Sequence, residues 1–125
     1  MIFGIGTDIV EIKRIEEITY LEKFAGRILS ENEQHIFASM NDSKKIRYIS
    51  KQFAGKEAIS KALGTGINKD VSFNNIEILR DDDGMPFFNP INQLDNLIAD
   101  LGITKTHVSL ADENHYAIAI AVLEK

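Results

Sequence analysis

Several features common in other protein classes are missing from this chain of 125 residues. It has no cysteine, which excludes disulfide bridges, a thiolate zinc site and a cysteine nucleophile, and which agrees with the reducing cytoplasm, where we expect the protein to act. The opening apolar run is interrupted by Gly4, Gly6 and Asp8 and has no basic flank. We therefore predict neither a signal peptide nor a transmembrane segment. Repeats, low-complexity tracts and a recognisable Ser/His/Asp spacing are also missing.

The composition is that of a globular protein, with 44% hydrophobic and 26% charged residues, and the length predicts one domain over residues 1–125. The net charge of −5 is unevenly distributed. Residues 11–61 hold ten basic and eight acidic side chains, whereas residues 62–125 hold four basic and ten acidic ones. The mildly basic first half could face an acidic partner, or simply form a mixed soluble surface. Overall acidity argues against general nucleic-acid binding.

The apolar patterning favours an α+β fold, a single compact domain with a mainly antiparallel sheet packed against a long helix. The last two strands form a hairpin, which argues against a doubly wound parallel sheet. We predict strands at 2–10, 71–79, 87–88, 107–111 and 115–123, and helices at 11–18, from Ser30 onward with Glu33 completing a capping box, from Asp42 or Ser43 to Leu63, and at 93–101.

The long helix carries a carboxylate among its apolar positions. At 100° per residue, Glu57 falls inside the arc defined by Ile46, Ile49 and Phe53. A buried carboxylate is costly unless a cation meets it. Lys61, one turn further on, could supply that cation through an i,i+4 pair, which is the purely structural explanation.

Asp8 favours a metal ion instead. Aspartate is disfavoured in strands, yet Asp8 lies in an otherwise apolar strand beside Gly6. By itself Asp8 could cap the helix that begins at Glu11. If it meets Glu57, however, two carboxylates would repel each other without a cation, and two acidic ligands completed by water and phosphate are typical of Mg²⁺.

The glycines of Gly64-Thr65-Gly66 follow a helix, whereas a P-loop leads into one. They therefore lie at the helix end that repels anions, and a phosphate bound there would need the charge of Lys61 and a metal. The histidines indicate less. We expect His35 on the surface, and packing or turn roles for His107 and His115, with Ser109 on the same side of its strand as His107.

Taken in order, several motifs resemble one family over nearly the whole chain. They are Gly4-Ile-Gly-Thr-Asp-Ile-Val, Arg14-Ile15, Phe53-Ala-Gly-Lys-Glu-Ala, Lys61-Ala-Leu-Gly-Thr-Gly-Ile, Gly84-Met-Pro86 and His107-Val-Ser-Leu. Together they resemble the holo-acyl-carrier-protein synthases, a small group of 4′-phosphopantetheinyl transferases. The closing Leu110-Ala-Asp-Glu-Asn-His-Tyr-Ala is most similar to the enterobacterial-type members.

The resemblance implies transfer of 4′-phosphopantetheine from coenzyme A to a serine of apo-acyl carrier protein, in support of fatty acid biosynthesis, with adenosine 3′,5′-bisphosphate as the other product. It implies that Asp8 and Glu57 hold Mg²⁺, that Lys61 stabilises charge on the pyrophosphate, and that Glu57 helps to remove the serine proton. Coenzyme A contacts are expected at Lys61, Gly64, Thr65, Gly66, Pro86 and Ser109.

The family is commonly a trimer with active sites between subunits. By resemblance, Arg14 would dock the acidic carrier protein, and charge alone adds Lys13, Lys23 and Arg27. The chain departs from many relatives at Gln52, where they have arginine, and at Asp112, where they have histidine. The first change removes a charge from a phosphate contact, and the second prevents a proton-transfer role from being carried over. The enterobacterial-type pattern shares the aspartate.

Two other function classes stay open on the residues alone. A catalytically silent module that binds coenzyme A or a nucleotide would need the glycines and Lys61 but not both carboxylates. A structural trimer without a ligand would leave Glu57 unexplained. Retention of Asp8, Glu57 and Lys61 together favours the enzyme.

Overall fold

The computed structural model describes residues 1–125 as eleven elements. The strands are β1 (Ile2–Glu11), β2 (Ile76–Arg80), β3 (Pro86–Pro90), β4 (Lys105–Asp112) and β5 (Tyr116–Glu124). The helices are α1 (Ile12–Glu16), α2 (Leu21–Ile28), α3 (Glu31–Ala38), α4 (Asp42–Leu63) and α5 (Gln93–Asp100), with a 3₁₀ turn at Phe73–Asn75. None of the helices combines the length and the apolar character needed to cross a membrane.

The predicted α+β architecture is confirmed. The strands β1, β5 and β4 form an antiparallel sheet in that order, and β2 and β3 form a separate antiparallel hairpin. The long helix α4 packs against one face of the three-stranded sheet, where the alternate residues Ala117, Ala119, Ala121 and Leu123 of β5 are buried. Small side chains along β5 let the helix lie close to the sheet, which places β1 directly beside α4.

The helix boundaries follow the local signals in the sequence. The hydroxyl of Ser30 accepts a hydrogen bond from the Glu33 amide, and the Glu33 carboxylate accepts one from the Ser30 amide, so the predicted capping box is present. The helix α4 begins at Asp42, with Asn41 as its N-terminal cap, and ends at Leu63. Its C-terminal cap is Gly64, whose φ of 79° is left-handed. Glycine adopts that conformation at little cost, which explains why the helix stops there.

Three expectations were wrong in detail. The strand predicted at 71–79 begins only at Ile76, because residues 73–75 form a 3₁₀ turn closed by a hydrogen bond from the Asn75 amide to the Ser72 carbonyl. The helix α1 ends at Glu16 rather than at Ile18. The helix α2 was not predicted, although it has a strong apolar stripe on one side.

Candidate active site

Two glycines of β1 bring the strand against α4 and so position Asp8. A Cβ built on Gly4 would lie 1.9 Å from the Ala62 carbonyl oxygen, and one built on Gly6 would lie 1.9 Å from that of Ala58. Side chains alternate along a strand, so Asp8 is the next residue on this helix-facing side. Only glycine allows such an approach, and the consequence is that Asp8 meets the last turns of α4.

Lys61 contacts Asp8 and not the neighbour expected from helical spacing. Its ammonium group lies 3.0 Å from Asp8 Oδ1 and 3.0 Å from the Thr7 carbonyl oxygen. The i,i+4 ion pair with Glu57, which was the purely structural alternative, is not formed, and Lys61 pairs with Asp8. The strand, held close by its glycines, offers two acceptors to one ammonium group.

Glu57 is less buried than its place on the helix suggested. Its carboxyl is partly exposed, and the wholly buried charged side chains are its neighbour Lys56 and the carboxylate of Glu33. Burial nevertheless raises the pKa of Glu57, the charge of Asp8 raises it further, and Lys61 opposes both. The two carboxylates predicted to form a site line the same cavity. Asp8 does not cap α1, whose first turn has no side-chain cap.

Asp8 and Glu57 line one cavity of about 400 Å³. The guanidinium-bearing Arg14 of α1 borders the same cavity, and the rest of the lining is mainly apolar: Ile9, Val10, Ile15, Ile18, Phe24 and Phe53. The cavity thus combines two carboxylates, the Arg14 cation from a different element and an apolar wall. We call it the acid cavity. No group of three or more histidine, aspartate or glutamate side chains is arranged to hold a metal, so a cation here would take only two protein carboxylates.

The residues expected to contact coenzyme A are dispersed within one copy of the chain. Gly64, Thr65 and Gly66 are at the end of α4, one turn beyond Lys61, and Gly66 also has a positive φ, of 65°. Pro86 begins β3 opposite Arg80. Ser109 is exposed on the outer face of the sheet, on the same side as His107, as predicted. None of these residues lines the acid cavity.

A second cavity, of about 320 Å³, has four cations in its lining and no carboxylate. Lys44, Arg47 and Lys51 come from α4, and Arg80 comes from the end of β2. The Tyr48 hydroxyl and Arg80 Nη1 are buried there without a hydrogen-bond partner. We call this the cationic cavity. This cavity was not predicted from the sequence, because Arg80 joins Lys44, Arg47 and Lys51 only through the fold. The helical spacing of those three cations along α4 was the available signal in the sequence.

The two departures noted in the sequence lie beside this cavity. Gln52 is fully buried, and its side-chain oxygen accepts a 3.0 Å hydrogen bond from Arg80. The Asp112 carboxylate forms ion pairs with Arg47 at 2.8 Å and with Lys51 at 3.3 Å. Burial acts to raise the pKa of Asp112, but the hydrogen bonds and charges of these two cations outweigh it and lower the pKa. Gln52 thus orients the Arg80 guanidinium, and Asp112 binds both Arg47 and Lys51.

The four basic residues predicted to dock a carrier protein are exposed. Lys13 and Arg14 project from α1, and Lys23 and Arg27 from α2. Lys13 makes a long ion pair with Glu17 at 3.9 Å, whereas the other three have no acidic partner within salt-bridge distance. Of the four, only Arg14 reaches the acid cavity. His35 is exposed on α3, as expected.

Comparison with known proteins gives one consistent result. Residues 4–121 match the model of the 4′-phosphopantetheinyl transferase superfamily. A holo-[acyl-carrier-protein] synthase of Shewanella denitrificans is 50% identical, with 98% of each chain covered. A crystal structure of the synthase from Neisseria meningitidis has a TM-score of 0.94 at 42% identity, covering 100% of both chains. That from Bacillus anthracis, in complex with CoA (3′,5′-ADP), has a TM-score of 0.84 at 40% identity, covering 98% of this chain and 96% of that one. The chain belongs to the 4′-phosphopantetheinyl transferase superfamily.

Proposed function

We propose that this chain is a Mg²⁺-dependent holo-[acyl-carrier-protein] synthase, formed by residues 1–125 as one domain. It transfers 4′-phosphopantetheine from coenzyme A to a serine of apo-acyl carrier protein, releases adenosine 3′,5′-bisphosphate, and so supports fatty acid biosynthesis in the cytoplasm. The observation that carries this proposal is the acid cavity, where Asp8 of β1 and Glu57 of α4 meet, with Lys61 bound to Asp8 at its edge. The relatives with this name, and those with coenzyme A bound, support the same reaction.

In the reaction, the serine oxygen attacks the phosphorus that carries the pantetheine arm. A serine–phosphate bond forms, and the bond from that phosphorus to adenosine bisphosphate breaks. The serine proton passes to Glu57, whose carboxylate lies beside Asp8 in the acid cavity. The half-exposed Lys61 ammonium stabilises the negative charge on the pyrophosphate as the leaving group departs.

The residues of the acid cavity fit a magnesium ion. Asp8 and Glu57 supply hard oxygen ligands on two separate elements that line one cavity. Burial raises the pKa of Glu57, and the charge of Asp8 adds to that shift. A protein that provides only two carboxylates leaves positions for water and phosphate oxygens, as Mg²⁺ requires. When bound, the ion neutralises charge on the pyrophosphate. We propose Asp8 and Glu57 as its ligands.

Coenzyme A has a third phosphate besides its pyrophosphate, and the cationic cavity suits it. Arg80 Nη1 and the Tyr48 hydroxyl are buried donors without partners, and an anion would satisfy both. We propose that this phosphate binds there, and that Lys61, Gly64, Thr65, Gly66, Pro86 and Ser109 contact the remainder of the cofactor. Arg80→Gln is expected to raise the KM for coenzyme A about tenfold and to leave that for dephospho-coenzyme A nearly unchanged. Equal effects on both would contradict this assignment.

The dispersed cofactor residues and an exposed apolar surface support a trimer with active sites between subunits. On the outer face of the sheet, Ile5, Ile9, Ile118 and Ile120 are 43–63% exposed. Ile9 pairs with Ile118, so these side chains form one continuous patch, which is unusual for a monomer. We propose that two further copies cover it. Ile120→Glu is expected to give a monomer in sedimentation, whereas Ile36→Glu, on α3, should not change the assembly.

We propose that the acidic carrier protein docks on α1 and α2 through Lys13, Arg14, Lys23 and Arg27. Three of these cations lack an acidic partner in the chain, and Arg14 connects the surface to the acid cavity. Interaction with an acidic partner through exposed cations is weakened by salt, so the KM for the carrier protein should rise with ionic strength more than that for coenzyme A.

The central experiment incubates the protein with apo-acyl carrier protein, coenzyme A and Mg²⁺ and measures the intact mass of the carrier. The carrier is expected to gain one phosphopantetheine arm, and chelation of the metal should stop the reaction until Mg²⁺ is restored. Asp8→Asn and Glu57→Gln keep the side-chain shape, and each is expected to lower turnover by about 100-fold or more.

The matched control is Asp95→Asn, which changes an exposed carboxylate on α5 that lines no cavity. It should turn over at the wild-type rate. Binding of coenzyme A in calorimetry without any gain in the mass of the carrier would instead favour the silent coenzyme A-binding module. Full activity of Asp8→Asn at limiting Mg²⁺ would rule out the metal assignment.

A further inference from the structure

The most deeply buried ion pair of the protein lies next to Glu57 and has no part in the proposed reaction. Lys56 and Glu33 both have no exposed side-chain surface, and Lys56 Nζ lies 2.5 Å from Glu33 Oε1. Burial lowers the pKa of Lys56, and the charge and hydrogen bond of Glu33 oppose that shift. Such pairs are a costly way to stabilise a core, since apolar residues often do as well.

Glu33 is held rigidly by contacts from three elements. Its carboxylate accepts hydrogen bonds from the Ser30 amide at 2.7 Å and from the Ile78 amide of β2 at 3.0 Å. The Gln52 side chain of α4 donates to the same carboxylate. With Lys56 added, both oxygens are fully used, so the position of the Lys56 ammonium group is fixed by the whole network.

Lys56 extends this network to the wall of the acid cavity. Its ammonium group also donates a 2.8 Å hydrogen bond to the Phe73 carbonyl. The Phe73 ring stacks on Phe53, with centroids 5.4 Å apart, and Phe53 packs on Phe24 at 6.0 Å. Phe53 and Phe24 line the cavity that holds Glu57. The hydrogen bond from Lys56 thus fixes the backbone of Phe73, whose ring supports Phe53. We call Phe53 and Phe24 the aromatic wall of the acid cavity.

We propose that Lys56 is a positioning residue, which holds Phe73 behind Phe53 so that the aromatic wall of the acid cavity keeps its shape. The inference rests on the proposed function. Because that wall adjoins Arg14 of the docking surface, the substrate most affected is the carrier protein, whose serine-bearing segment enters beside the acids. The third phosphate of coenzyme A is held in the cationic cavity, outside this wall, so coenzyme A keeps that anchor.

The test compares Lys56→Met, Phe73→Leu and the double variant in steady-state kinetics. Lys56→Met removes the hydrogen bond, and Phe73→Leu removes the ring while leaving the ion pair intact, so a folded variant remains if Lys56→Met fails to fold. Each is expected to raise the KM for apo-acyl carrier protein at least about fivefold and that for coenzyme A by less than about twofold. The KM values of the double variant should be no higher than those of Lys56→Met, because both changes remove the same support of Phe53 by Phe73.

Glu77→Gln is the matched control. Glu77 is the other buried carboxylate, at 2% exposure, and it accepts hydrogen bonds from Ser30 Oγ at 2.6 Å and from Asn89 at 2.9 Å. It makes no hydrogen bond to Lys56 or Phe73. Its substitution should lower the melting temperature without separating the two KM values. Equal changes in both KM values for Phe73→Leu, or additive effects in the double variant, would overturn the proposal.

A spectroscopic measurement that requires no turnover tests this inference independently of the proposed reaction. In spectra of protein labelled at phenylalanine, Lys56→Met should shift the ring resonances of Phe53 and Phe73, whereas Glu77→Gln should leave them in place. Unshifted Phe53 resonances in Lys56→Met refute the positioning role even if transfer activity is never detected. Shifted resonances in a protein that transfers no phosphopantetheine would contradict the proposed function alone.

Discussion

Replacement of Gly6 by alanine tests whether the close approach of β1 and α4 builds the site. The new Cβ would lie 1.9 Å from the Ala58 carbonyl oxygen and 2.7 Å from the Ala62 amide nitrogen. Ordinary contact begins at 3.4 Å, so the strand and helix must separate by about 1.5 Å. Both neighbours are backbone atoms of a regular helix and cannot rotate away. We expect a loss of about 3 kcal/mol in unfolding free energy, at the upper end for an overpacked core.

The same movement draws Asp8 away from Lys61, whose contact is 3.0 Å. A shift of about 1.5 Å breaks that hydrogen bond and also separates Asp8 of β1 from Glu57 of α4, the two proposed metal ligands, so Mg²⁺ affinity and transfer activity should fall together with stability. Gly26→Ala is the control, because a Cβ there meets nothing within 4 Å on α2. It should stabilise the protein by about 0.5–1 kcal/mol through helix propensity.

Gly55→Ala provides an intermediate case. Its Cβ would lie 2.6 Å from Ile78 Cδ1, the end of a side chain that can move, so we expect stability within about 1 kcal/mol of wild type. Urea unfolding followed by circular dichroism at one protein concentration ranks the variants. A Gly6→Ala protein as stable as wild type, with unchanged Mg²⁺ affinity, would refute the reasoning.

The remaining predictions concern the ion pairs of Asp8 and of Asp112. Lys61→Met removes a half-exposed partner of Asp8, so it should lower the unfolding free energy by less than about 1 kcal/mol. Its turnover should fall about 100-fold, because the charge on the pyrophosphate loses its stabilising ammonium group. A large loss of stability that accompanies the loss of turnover would point to a structural role. Because the folded-state pKa of Asp112 is lowered, its stabilising effect is complete above the ordinary value of 3.8 and is lost as the pH falls through the folded-state pKa. Asp112→Asn should therefore be less stable than wild type at neutral pH and equally stable in strong acid. A urea midpoint gap that persists in acid would contradict this.

The fold was predictable where local chemistry decides it. The capping box at Ser30, the left-handed stop at Gly64 and the final hairpin are each specified by a few neighbouring residues. The strand expected from Val71 was wrong over its first residues because a 3₁₀ turn satisfies the backbone there. Apolar character alone does not separate a strand from the segment leading into it.

One signal was present in the sequence and was not used. Ile49, Gln52 and Lys56 are spaced i, i+3 and i+7, so all three lie on one side of α4, and all three are fully buried. Lysine at such a position already predicts a buried partner. Its identity as Glu33, and the further contact with Phe73, depend on how α3 and the 3₁₀ turn pack against the helix.

The sequence by itself determined most of the elements, the family resemblance and the candidate acids Asp8 and Glu57, because these depend on local patterns and ordered motifs. Only the tertiary structure decided which charges meet. Lys61 binds Asp8 and not Glu57, and Arg80 joins the cations of α4. Helical periodicity gives the direction of a side chain, but its partner is set by the element that packs opposite, and here the glycines of β1 bring that element within reach.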